Sequence, residues 1–517
     1  MKKLISLLLV VVMVFSLCAC SGSDSTTANA DSKPADSATT TPTEPASSTP
    51  ATNDDPNVLK AGFGRVDSAP ETDLVHIAGG SAADDPATDG MLDTLAVTCI
   101  ALQKNGETYL VYTCDIVDIV DFYKTVDNEV SAATGISKDH IILNATHTHS
   151  APTMKPSDLN LPGAPEYNVL FNAACLEAAQ NAIADLSPVG DLSYGSIMTE
   201  NMVRVRHYLM KDGSTYGNGH GTSEGLSSGY KEHLYPSDEE CQVILMTRPA
   251  EDKKDIVLFN LGAHATIVSG TNTSALSADF PFPARQYIEE NGDYLAAYFI
   301  AAAGDQTPGS KIPGEIKHKN HFDYGAALGE YVLNCIENNM TVSEGTDISF
   351  YTEKYIAKRM KDGIEDTDRV SKAKEIMALR SQFGQNSSQV KEKLKEYGFT
   401  NYYEASGLSG RASAPETGFF PISTMLIGDV GMVFFAGEMF GSQGRQLKDN
   451  SPVFTFVITC SEDDQGYFPH ALAKEESFYE YDQTKYAMGT GEAVAERYVE
   501  TLTALMNGEE PAPLPPV

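Results

Sequence analysis

The chain has no tryptophan, and its 517 residues include only 37 Lys and Arg against 71 Asp and Glu. The formal net charge is −34. Nucleic acid is bound through clustered Lys and Arg, so it is not an expected partner. No Lys/Arg-rich run occurs outside the extreme N-terminus. Cysteine is sparse, at eight residues, and no Cys-x-x-Cys spacing occurs, which argues against a Cys-ligated zinc or dithiol motif. The apolar run Leu4–Leu17 is short for a membrane-spanning helix. No internal repeat is visible, which excludes a solenoid or propeller built of similar units.

What remains is a chain with 42% apolar residues, long enough to bury a large core. Met1-Lys2-Lys3 followed by Leu4–Leu17 reads as a secretion signal over residues 1–20. It ends in Leu17-Cys18-Ala19-Cys20, which resembles a bacterial lipobox with Cys20 as the lipidated residue. Lipid on Cys20 would anchor an exported protein to the outer face of the cell membrane. Residues 21–56 are Ser, Thr, Ala, Pro and Asp with almost no apolar bulk, and are expected to form a disordered tether. The other cysteines, Cys99, Cys114, Cys175, Cys241, Cys335 and Cys460, are scattered through mostly apolar runs and read as buried thiols. Export would permit a disulfide, with no pair singled out.

Strands and helices alternate along residues 57–508, which predicts an α/β (mixed α+β) globule. Lys104-Asn105-Gly106-Glu107 reads as a hairpin turn between Leu95–Leu102 and Thr108–Cys114. Helices are expected over Phe122–Thr134, closed by Gly135, over Glu166–Leu186 after Pro165, and over Gly491–Met506. Buried strands are expected over 140–146, 257–261, 298–303, 431–436 and 453–460. The stretch 355–399 is charged and helix-prone and reads as a helical insertion at the surface, a lid or a decoration. Residues 509–517 read as a disordered tail.

The most specific motif is Ala145-Thr146-His147-Thr148-His149-Ser150-Ala151-Pro152, directly after the apolar run His140-Ile141-Ile142-Leu143. On an extended chain, residues i and i+2 share a side, so His147 and His149 would project together from a strand end. Imidazole is both a zinc ligand and the side chain that titrates nearest neutral pH.

This block resembles the signature of the neutral/alkaline, non-lysosomal ceramidases, which are zinc-dependent amidases that split the N-acyl bond of ceramide. The resemblance extends, in the family's order, through Ala61–Asp67, Val205-Arg206-His207-Tyr208, Leu261–His264, Gly304-Asp305-Gln306-Thr307-Pro308, Ala436-Gly437-Glu438 and Gly466-Tyr467-Phe468-Pro469. It implies a β-sheet core covered by helices, with a zinc site at the C-terminal ends of strands. The metal ligands it implies are His147, His264, Glu438 and Tyr467. It gives His149 a proton-transfer role, and Arg206 and Tyr479 an oxyanion-stabilising one. Arg204 and Tyr481 stand close enough to be alternatives to these two. The family's motif serine, sometimes assigned as nucleophile, is Thr307 here. The added methyl and stiff χ1 favour a metal-activated water as attacker, with Thr307 positioning it. An immunoglobulin-like C-terminal domain, which many ceramidases carry, is not expected.

The resulting expectation is a zinc-dependent hydrolase of ceramide or a related N-acyl lipid, with oligomeric state open. One alternative is a different metal-dependent amidase or esterase. An amidohydrolase barrel would need further ligands, for which His318 and His321 fit poorly, and the metallo-β-lactamase motif fails because Ser150 and Ala151 follow His149. Another alternative is a lipid-anchored binding protein without activity.

Overall fold

The structure, a computed structural model, describes residues 55–514 apart from 71–74, 80–84, 120–122, 155–160, 218–225 and the single positions 227, 272, 311, 313, 316, 386 and 477. The expected secretion signal, Cys20 and nearly all of the tether lie outside the described residues.

Three sheets dominate. In the first, Lys60–Asp67 pairs antiparallel with Ala96–Lys104, which pairs with Glu107–Cys114, and Ile141–Ile142 runs parallel to the latter. The second holds Leu192–Met198, Glu240–Met246, Asp255–Leu261 and Tyr294–Ile300, the last two parallel. The third holds Ile348–Lys358, Thr417–Ile427, Val430–Phe435 and Phe454–Ile458, again with the last two parallel. The turn Asn105-Gly106 has φ of 56° and 85°, the left-handed pair that a two-residue hairpin requires.

Apolar side chains of all three sheets meet in one cluster that includes Ile100, Val111, Leu258, Phe299, Phe434 and Phe456. Helices cover the other faces. Ala164–Ala184 packs on the first sheet, Pro281–Asn291 and His321–Asn338 on the second, and Gly441–Asn450 and Thr490–Met506 on the third. The approach of Ala164–Ala184 is close enough to dictate glycine: a Cβ at Gly64 would sit 2.2 Å from the carbonyl oxygen of Ala178. All six cysteines of the described region are buried and unpaired. No helix of the described residues is long and apolar enough to cross a membrane.

The helical insertion is longer than its charge pattern suggested. It joins Ile348–Lys358 to Thr417–Ile427 and contains Thr367–Phe383, Ser388–Tyr397 and a third helix, Tyr402–Ser413. Asp366, Ser387 and Asn401 cap these helices, each accepting a backbone N–H with its side chain. Near the C-terminus, Arg497 donates to the carbonyl of Ala512 at 2.8 Å and Pro511 is buried.

Each large sheet thus contains one parallel pair, and the motif residues follow members of those pairs. His147 comes after Ile141–Ile142, His264 after Asp255–Leu261, the Gly304–Thr307 segment after Tyr294–Ile300, Glu438 after Val430–Phe435 and Tyr467 after Phe454–Ile458. Parallel strands expose their carboxyl ends along one edge, where the following loops gather. Backbone hydrogen bonds stitch these ends together: Ala145 N–H to Cys460 O at 3.1 Å, His149 N–H to Ala265 O at 3.1 Å, Gly304 N–H to Met439 O at 2.8 Å and Glu438 N–H to Gly466 O at 2.9 Å.

Candidate active site

His147 and His149 meet, but not by projecting from an extended strand as expected. The strand stops at Ile142, and His147 adopts a left-handed φ of 62°. The rings stand at 88° to each other with Nε2 atoms 3.2 Å apart. Glu438 lies on the short strand Glu438–Met439, which pairs in parallel with Tyr467–Phe468. This pairing sets Glu438 beside Tyr467, residues 29 apart in the chain.

The nitrogens of His147, His149 and His264 lie within 4.8 Å of one another and form a group that could hold a metal ion. His149, expected to handle protons, is therefore itself within the ligand cluster. The ring orientation of the other two histidines tests the fit. Nδ1 of His147 faces the carbonyl of Val117 at 2.6 Å, and Nδ1 of His264 faces that of Gln306 at 2.9 Å. A carbonyl only accepts, so each ring carries a proton on Nδ1 and, when neutral, presents a bare lone pair on Nε2. Both Nε2 atoms face Glu438 Oε2, at 3.4 and 2.9 Å. His264 Nε2 and Glu438 Oε2 are buried and have no hydrogen-bond partner. Two lone pairs converging on a carboxylate oxygen repel unless a cation lies among them, and a nitrogen-and-carboxylate set suits zinc or a similar divalent ion. Without a cation, relief comes only from protonation. Burial disfavours charge on His147, but Cys460, Glu438 and Asp118 hold its pKa well above the usual value. His149 goes the other way: burial, then the neighbouring His147 and His264, hold its pKa well below the usual imidazole value.

The cluster opens on a cavity of about 700 Å³ whose lining includes His149, Arg206, His264, Thr307, Tyr467 and Tyr479. The two alternatives left by the sequence now separate by geometry. Arg206 donates to Glu480 Oε1 at 2.7 Å, to Gly304 O at 2.8 Å and to the Tyr467 hydroxyl at 3.3 Å. Arg204 turns to the carbonyls of Pro308 and Glu315. The Tyr479 ring lies 5.4 Å from that of Tyr467, whereas Tyr481 donates to Asp362 in the insertion. Burial raises the pKa of both Tyr467 and Tyr479, which keeps the two phenols protonated donors. Thr307 pairs in register with Arg204, and its hydroxyl accepts the Gly309 N–H at 3.2 Å. Neither His318 nor His321 joins the imidazole cluster, and His321 is bonded to buried Asp93 at 2.9 Å.

Three residues that matter here were not singled out from sequence. Glu480 is fully buried and bridges Arg206 to His207, whose Nε2 lies 2.9 Å away. Burial alone would raise its pKa, but Arg206 and His207 push it down to about 2. The signal was the adjacent bases Arg206-His207, which need an acid when buried. Gln306 supplies the carbonyl that orients His264, and its own amide donates to Gly262 O at 2.7 Å. Tyr403, from the third helix of the insertion, lines the cavity with its ring 4.7 Å from that of Tyr479. It falls outside the 355–399 stretch read as the insertion, and no local pattern marks it.

No family model matches this chain, and no curated protein matches it in sequence. Solved structures do match. One is a ceramidase complexed with C2, at 14% identity and a TM-score of 0.64, over 88% of this chain and 76% of that one. Another is the neutral ceramidase from Pseudomonas aeruginosa, at 15% identity and a TM-score of 0.64, over 89% and 77% of the two chains. At this identity the likeness is one of fold.

Proposed function

We propose that this chain is a zinc-dependent hydrolase that cleaves the N-acyl amide bond of ceramide or a related N-acyl lipid. The observation that carries this reading is the convergence of His147 Nε2, His264 Nε2 and Glu438 Oε2, two of these atoms buried without a partner, beside a cavity lined by hydroxyl and guanidinium donors. The fold shared with ceramidases and the ordered run of motifs support it.

His147, His264 and Glu438, with Tyr467 beside them, would hold a divalent ion, which when bound would supply Lewis-acid polarisation of the scissile carbonyl and acidify water. The chain's own groups do the rest. Arg206, fixed by Glu480 and the Gly304 carbonyl, directs its guanidinium to where negative charge develops on the carbonyl oxygen. Tyr479 donates a second hydrogen bond there. His149, neutral in this surrounding, carries a proton between the attacking water and the departing nitrogen. The Thr307 hydroxyl orients the water. Metal analysis of the purified chain, with hydrolysis assays on a panel of N-acyl lipids, tests the reading. Stoichiometric zinc and release of fatty acid are expected; a metal-free protein that binds these lipids without cleaving them would make it a binding protein.

The chain's place is proposed to be the outer face of the cell membrane, held by lipid on Cys20. In cell fractionation, Cys20→Ser should move the protein from the membrane to the soluble fraction. Retention equal to wild type would end the lipobox reading.

A further inference from the structure

The cavity wall differs in charge from the rest of the molecule. The chain carries 71 acidic and 37 basic residues, yet among the described residues that line the cavity there is no Asp or Glu. Arg204, Arg206, Lys317 and Lys319 all line it. Two of these charges are already matched: Arg206 by Glu480 at 2.7 Å and Arg204 by Glu315 at 3.9 Å. Among the described residues, no carboxylate pairs with the side chain of Lys317 or Lys319, and both are exposed. They flank His318, whose ring packs 5.1 Å from that of buried Tyr324, which secures the segment against the helix His321–Asn338. Asp323 accepts the Lys319 backbone N–H at 3.3 Å, so its carboxylate is near, but it does not pair with either ammonium. A strongly acidic protein therefore presents two lysine side chains without an ion-pair partner among the described residues at one wall of its candidate active site. A neutral ceramide headgroup offers them hydroxyl acceptors but no opposite charge. An anion would gain from them in a concave site, where the low-dielectric walls focus the field.

We propose that the substrate is an N-acyl amide whose amine portion carries an anionic group, a carboxylate or a phosphate, received by Lys317 and Lys319 at the wall of the cavity. This rests on the hydrolase reading and narrows it. The anion takes no part in bond breaking. It orients the leaving amine while the acyl carbonyl faces Arg206 and the imidazole cluster. Hydrolysis then adds water across the amide C–N bond, giving a fatty acid and an anionic amine such as an amino acid.

The test compares kcat/KM of the full chain for N-dodecanoyl glutamate, N-dodecanoyl phosphoethanolamine and neutral N-dodecanoyl ethanolamine. At least one anionic substrate should exceed the neutral one by about tenfold at low ionic strength, and added salt should narrow the gap. Which anionic substrate leads distinguishes carboxylate from phosphate. In the Lys317→Met/Lys319→Met variant the anionic-to-neutral ratio should fall about tenfold, chiefly through KM. A wild type that prefers the neutral amide, or a variant that keeps the anionic preference, overturns the proposal while leaving amide hydrolysis intact. If no amide is cleaved, the hydrolase reading fails, and calorimetric binding of N-dodecanoyl glutamate against N-dodecanoyl ethanolamine still decides the cation wall. Tighter anion binding that the double substitution removes supports it; equal affinities overturn it.

Discussion

The floor of the cavity and its outer wall are built by different means. At the floor, His264 lines the cavity and meets His147 and Glu438, which do not line it; the three follow strands of three separate sheets, and each histidine ring is fixed by a backbone carbonyl. The outer wall comes from connections: the 317–320 segment and Tyr403 of the helical insertion. Floor residues are buried and locked by the fold, while Lys317 and Lys319 are exposed. Such a division separates reaction class, set where the backbone is over-determined, from substrate choice, set where side chains can change without disturbing the sheets. Floor substitutions should therefore depress kcat, and wall substitutions should re-rank substrates through KM.

The largest effect is expected from His147→Ala combined with His264→Ala. Zinc content should be lost and turnover should fall by roughly 10³-fold or more, since a Lewis acid supplies several kcal/mol. Unchanged zinc by elemental analysis would place the metal elsewhere. Thr307→Ala should follow, with kcat lowered about 10²–10³-fold, as for loss of one positioned hydrogen bond, while Thr307→Ser retains activity. An acyl-threonine adduct detected by mass spectrometry in wild type would make Thr307 the nucleophile instead.

Glu480→Gln should lower kcat by about 10²-fold, because it acts through Arg206. It also breaks a buried ion pair, which costs about 3 kcal/mol of stability near neutral pH. The sign with pH is fixed by the depressed pKa. With its pKa pushed from 4.5 to about 2, the carboxylate stabilises the folded state above pH 4.5 and loses that contribution as pH falls toward 2. Chemical denaturation of wild type and variant should therefore converge across that window; a constant difference would mean Glu480 is not the charged partner of Arg206. The smallest effect is expected at the wall. Tyr403→Ala should raise KM for long-chain substrates by about threefold to tenfold with kcat little changed. An equal fall in kcat would show that the insertion belongs to the floor.

Local pattern was informative wherever a feature depends on near neighbours. The Asn105-Gly106 hairpin, the Pro165-initiated helix and the strands before His264 and Glu438 appear close to their expected bounds. The bend at His147 was not legible, because a left-handed φ at a β-rich segment is imposed by distant bonds such as that from Ala145 to Cys460. Nor was Tyr403, whose place depends on how the helix Tyr402–Ser413 packs against the helix Tyr479–Gln483.

Sequence alone determined the alternation of strands and helices, the ordered motifs and the residue types from which a metal site could be made, because propensity and chemistry are carried by each residue and its neighbours. Only the tertiary structure decided that Arg206 rather than Arg204 meets Tyr467, that Glu480 matches it, and that an acid-rich chain has a cavity lined by bases. These are relations between positions up to 274 residues apart, and they exist only once the parallel strand ends are brought to a common edge.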